Sequence, residues 1–146
     1  MNYNCSVPTN KNIKVPLMRR ALQPPNWARP RGYSNGIVAS GETIYTGGLI
    51  GWDADCIFRS TDFVGQLKTT LENIVAVLNE ADAGPEHLVR MTWYITDKEG
   101  YQNNQKGIGE VYRDVIGRNY PAMAVVQVVA LMEDAALVEI EAIAVK

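Results

Sequence analysis

The residues able to do chemistry are few, and most can be assigned a structural role. Asp53 and Asp55 stand two apart in Trp52-Asp53-Ala54-Asp55. No third ligand or calcium-loop spacing follows them, so the segment reads as a turn, not a metal site. His87 is the only histidine, placed just after Gly84-Pro85 and before an apolar run. An exposed turn position suits it better than acid–base work, and no motif places a Ser or Cys nucleophile near it. Cys5 and Cys56 are far apart and lack metal-ligand spacing. Glu139 and Glu141 differ, because they lie in the middle of an apolar strand-like stretch, Ala136 to Val145. Their spacing puts both on one strand face, which is either simply solvated or covered by a partner.

Composition narrows the classes. The chain has 146 residues, 47% hydrophobic and 21% charged, as expected for one soluble globular domain. The formal net charge is -2 and no Lys/Arg run exceeds Arg19-Arg20. Nucleic acid is thereby excluded as the main partner, since phosphate binding wants a clustered basic face. Free thiols and a start without basic or apolar leader character point to the cytoplasm. No apolar run approaches the ~18 residues of a membrane helix.

The elements that must position these residues follow from periodicity. Residues 1–14 are polar and aperiodic and read as a flexible arm, with the domain spanning 15–146. A short strand is expected within Val15 to Leu22. Gln23 to Gly32 holds three prolines and cannot be a helix. It reads as an ordered loop anchored by Trp27. Ile37-Val38-Ala39 and Thr43-Ile44-Tyr45-Thr46, joined by Ser40-Gly41-Glu42, read as a hairpin. Gly47, Gly48 and Gly51 mark close backbone approach or a bulge.

Phe63, Leu67, Leu71, Ile74 and Leu78 form one helical face behind N-cap candidates Ser60, Thr61 and Asp62. Gly84 suits a left-handed helix end. Leu88 to Thr96 is a strand. A second helix is expected from near Tyr101 to Ile116, then strands over Ala122 to Leu131 and Ala136 to Val145. The order β-β-β-α-β-α-β-β predicts an α+β fold, a single mixed sheet with two helices on one face. In the last strand Val138, Ile140, Ala142 and Ala144 fit the covered face. Leu137, Glu139, Glu141, Ile143 and Val145 fit the other, either solvated or covered by a partner subunit.

Several segments together resemble the RidA/YjgF family of small imine and enamine deaminases. They are Tyr33-Ser34-Asn35-Gly36, Ile44 to Ile50, Leu71-Glu72-Asn73-Ile74 with Val77-Leu78, Tyr120 to Val128, and Val138 to Ala142. The match runs from Leu17 to Lys146. The resemblance implies a chorismate mutase-like fold, a homotrimer around a central β-barrel, and ligand clefts between subunits. It also implies a small-molecule substrate, with no cofactor and no metal. By the same resemblance Tyr33 lines the pocket, Gly47 and Gly48 form cleft wall, and Glu139 positions the attacking water. Met123 stands where the best-studied members carry the arginine that grips a substrate carboxylate, and Val125 where many carry a reactive cysteine. Gly109 falls near a family asparagine, and Arg31-Gly32 replaces Gly-Pro before the tyrosine.

Methionine offers neither charge nor donor, so the usual clamp is absent. Two substitutes are open. The substrate can be apolar or aromatic, with Met123, Trp52 and Trp93 around it. Alternatively Arg29 or Arg31 reaches into the cleft from the Pro-rich loop, against the plainer reading of both as solvated. The expected activity is hydrolytic deamination of a small enamine or imine. The alternative is a non-catalytic binding or regulatory trimer on the same scaffold.

Overall fold

The computed structural model describes residues 18–146, so the expected arm at 1–14 lies outside the described residues. The strands are β1 (Met18–Leu22), β2 (Gly36–Ser40), β3 (Thr43–Tyr45), β4 (Leu49–Ile50), β5 (Leu88–Ile95), β6 (Ala122–Gln127) and β7 (Val138–Val145). The helices are α1 (Phe63–Asn79), α2 (Lys98–Asn103) and α3 (Gln105–Val115). The fold is α+β, as expected, but the strands form two sheets rather than one. β1 and β2 make an antiparallel ribbon, while the larger sheet runs β3-β7-β5-β6 with β4 also on β7. Within it β5 and β6 are parallel and the other pairs antiparallel.

The expected hairpin between the second and third strands is therefore corrected. β2 pairs with β1 and β3 with β7. The reason is long-range: Glu42 N–H donates to Lys146 O at 2.7 Å and Lys146 N–H to Glu42 O at 3.0 Å. Gly41, at φ +152°, leaves no room for a Cβ beside Lys146. The turn thus hands the chain across to the end of β7.

Helix α1 forms where its apolar stripe predicts. Asp62 caps it by accepting from Gly65 N–H at 2.9 Å. Its end is set by Asp82 in the left-handed region (φ 50°), while Gly84 is extended (φ -137°). Gly84 is thus not the helix terminator expected. The second helix is broken at Asn104 into α2 and α3.

One core results. Leu67, Leu71, Ile74 and Leu78 of α1 and Ile108 and Tyr112 of α3 bury Met91, Trp93 and Ile95 of β5. The same helices cover Val138, Ile140, Ala142 and Ala144 of β7. Gln66 is buried among them with its amide fully used. It donates to Ala135 O (2.8 Å) and Ser60 O (3.2 Å) and accepts from Leu137 N–H (2.8 Å).

Candidate functional site

A cavity of about 420 Å3 opens beside β6 and α3. Its floor is Trp93, Met123 and Val125, and its side is the α3 face bearing Ile108, Gly109, Tyr112 and Arg113. Tyr120, Tyr33 and Arg31 close it from the loops. Register explains the floor. Met91 pairs with Met123 and Trp93 with Val125, so these side chains share the helix-covered face.

The Pro-rich loop is held at the rim by Ser34, whose N–H donates to Pro121 O (2.9 Å) and whose hydroxyl donates to Tyr120 O (2.6 Å). That places Tyr33, 43% exposed, over the cavity. Trp27 does not anchor the loop as expected, being 64% exposed. Gln23 does so instead, donating to Trp27 O at 3.0 Å and accepting from Asn35 at 2.9 Å. Arg29 lines a neighbouring groove with Trp27, not the cavity itself.

The aromatic wall is stacked. Tyr112 stacks on Tyr120 with centroids 5.9 Å apart and planes 8° apart, and tilts against Trp93 at 6.3 Å. The Tyr112 hydroxyl donates to Asn119 O at 2.6 Å. Burial first, then the neighbouring Tyr120, holds its phenol well above the ordinary tyrosine range, so it stays a neutral donor.

Glu139 stands elsewhere. It pairs with Tyr94, on the sheet face opposite the cavity floor. Its carboxylate lies against Gly48, where any Cβ would overlap Oε1. Gly47 is exposed beside it. On the same open face Tyr94 donates to Glu141 at 3.0 Å, a bond that raises the Tyr94 pKa. The sequence-derived site residues thus fall into two groups. Arg31, Tyr33, Met123 and Val125 meet at the cavity, and Glu139 with Gly48 lies across the sheet.

Other residues resolve to structural duties. Asp53 accepts from Asp55 and Ile57 N–H and from Arg59 Nε at 2.6 Å. The Arg59 bond is the largest cause that holds its carboxyl below the usual range. Trp52 packs on Phe58 (6.1 Å) and does not line the cavity, which removes it from the expected aromatic set. His87 is half-buried rather than exposed, its Nδ1 accepting from Gly84 N–H at 3.0 Å. Among the described residues no cluster of His, Cys, Asp or Glu could hold a metal, and no helix is long and apolar enough to cross a membrane. Sequence reasoning missed Arg113 as a cavity residue. Its spacing of four from Gly109 on a helix was the available signal.

An α+β scaffold with an aromatic cavity beside a parallel strand pair defines the class. The endoribonuclease L-PSP family model matches residues 26–146, and the chain belongs to that family, the RidA/YjgF proteins. It is 33% identical over 129 residues to the RutC family protein UK114 of Drosophila melanogaster, covering 88% of this chain and 90% of the relative. It is 32% identical over 112 residues to the putative reactive intermediate deaminase TdcF of Escherichia coli, covering 75% and 83%. The crystal structure of that protein with bound serine superposes with a TM-score of 0.62 at 30% identity, covering 87% and 98%. The Rid protein YyfB of Yersinia pestis superposes with a TM-score of 0.79 at 28% identity, covering 88% and 98%.

Proposed function

We propose that the chain hydrolyses a small imine or enamine, with the cavity holding the substrate and Glu139 activating water. The carrying observation is the convergence of Tyr33, Met123 and Val125 on one cavity in a family whose relative TdcF is named a reactive intermediate deaminase. The reaction needs little apparatus. Water adds to the C=N carbon as Glu139 takes its proton and passes it to nitrogen, giving the carbinolamine; a second transfer of the hydroxyl proton to nitrogen through Glu139 expels ammonia and leaves a carbonyl. An enamine is first protonated at carbon to give the iminium ion, which is the same imine once nitrogen loses a proton.

Because Glu139 lies across the sheet from the cavity floor, a neighbouring subunit supplies it. That favours the homotrimer with inter-subunit clefts. The open sheet face, which bears half-buried Ile143 and 73% exposed Tyr45, is the surface such an assembly covers. Cavity and carboxylate then meet between two chains. Ammonia release from imines generated in situ tests the activity. Glu139→Gln should lower turnover at least about a hundredfold, and retained turnover contradicts the role of Glu139.

A second reading, a non-catalytic binding trimer, is supported by the apolar Met123 and Val125 on the cavity floor, where the family resemblance implies arginine and cysteine. It predicts ligand binding with no ammonia release.

A further inference from the structure

We infer that Arg31 and Arg113 form an anion site at the mouth of the aromatic cavity, fitting it to a planar conjugated carboxylate. The two come from separate elements, the Pro-rich loop and α3, yet both line the cavity. Neither makes an ion pair with a carboxylate among the described residues, whereas Arg59 pairs with Asp53. Residues 1–17 contain no Asp or Glu that could serve. Two guanidinium groups lining one cavity without a paired carboxylate leave its rim positive and open to an anion.

Gly109 makes the arrangement possible. It sits one helical turn before Arg113, and a Cβ there would lie 3.2 Å from Arg113 Nη1. The guanidinium therefore rests over the glycine on the cavity side of α3. The rest of the cavity selects for a flat, polarisable body. Tyr112 and Tyr120 form a stacked wall, Trp93 the floor and Met123 an adaptable apolar contact. In the deaminase reading above, on which only the C=N bond rests, the substrate is an aromatic or conjugated 2-imino acid or its enamine. Its carboxylate is held by Arg31 and Arg113, which takes over the duty that Met123 cannot perform.

The anion site can be tested apart from catalysis. Cinnamate carries the ring and the carboxylate but no C=N bond; cinnamyl alcohol lacks the charge. By calorimetry the unmodified protein should bind cinnamate at least about tenfold more tightly than the alcohol, and the double variant Arg31→Gln, Arg113→Gln should bind both alike. Equal affinity in the unmodified protein, no binding of either, or discrimination that survives in the folded double variant would overturn the site. Turnover is then read on the imine formed from phenylalanine by an amino-acid oxidase and on that formed from phenethylamine by an amine oxidase. KM for the former alone should rise about tenfold in the double variant, with kcat within twofold. Cinnamate discrimination with no turnover of either imine leaves the anion site standing and removes the deaminase reading.

Discussion

The Glu139 carboxylate lies against Gly48 with no space for even a methyl group between them. Gly48 is therefore the mould that sets where the carboxylate points, and it lies outside the positive-φ glycines. Gly48→Ala should keep the fold, with Tm within a few degrees, because the contact is with the far end of a flexible side chain. Activity should fall at least about tenfold, since a 1 Å displacement of a catalytic group is costly. Ammonia release equal to that of the unmodified protein would show that the carboxylate position is immaterial.

The Tyr112 hydroxyl ties α3 to the turn before β6 through Asn119 O. Tyr112→Phe keeps the stacking on Tyr120 and loses one hydrogen bond, leaving a carbonyl unpaired. A loss of about 1 kcal/mol is expected in urea unfolding, and Tyr112→Leu should add about 1 kcal/mol through the lost aromatic pair.

Gln66 holds three backbone groups in a buried setting. Gln66→Leu deprives Ala135 O and Leu137 N–H of their partners and should destabilise by about 2–4 kcal/mol. An unchanged denaturation midpoint would show that water replaces the amide without cost.

Asp53 has a folded pKa below its ordinary value of 3.8, first through Arg59 and then through backbone N–H groups. A depressed carboxylate pKa contributes stability that is present above the unfolded pKa and is lost as pH falls through the folded one. The Tm gap between the unmodified protein and Asp53→Asn should therefore be constant at neutral pH and close below pH 3.8. A gap that widens on acidification contradicts this sign.

The elements were legible where local signals agreed. Asp62 and the stripe from Phe63 to Leu78 announced α1, and alternation in β7 separated Val138 and Ile140 from Glu139 and Glu141. The hairpin reading failed because Gly41 and Glu42 are committed to Lys146, a hundred residues on, which no window of local sequence contains. The spacing of Arg113 from Gly109 was a weak signal, because an arginine on a helix reads as solvated until a cavity is seen beside it. The division of the site needed register. Only the pairings of Trp93 with Val125 and of Tyr94 with Glu139 show that cavity and carboxylate face opposite ways.

Whether the cavity of one chain meets the Glu139 carboxylate of another is tested by mixed assemblies. Glu139→Gln chains keep the cavity and lack the carboxylate. Gly109→Trp chains keep the carboxylate and fill the cavity, since Gly109 has only the Arg113 guanidinium near it. Each should be inactive alone. Unfolded together in equal amounts and refolded, they should recover about a quarter of the unmodified activity, because random assortment puts one intact cavity beside one intact Glu139 in that share of interfaces. No recovery from correctly assembled mixtures would mean that cavity and carboxylate do not meet between chains.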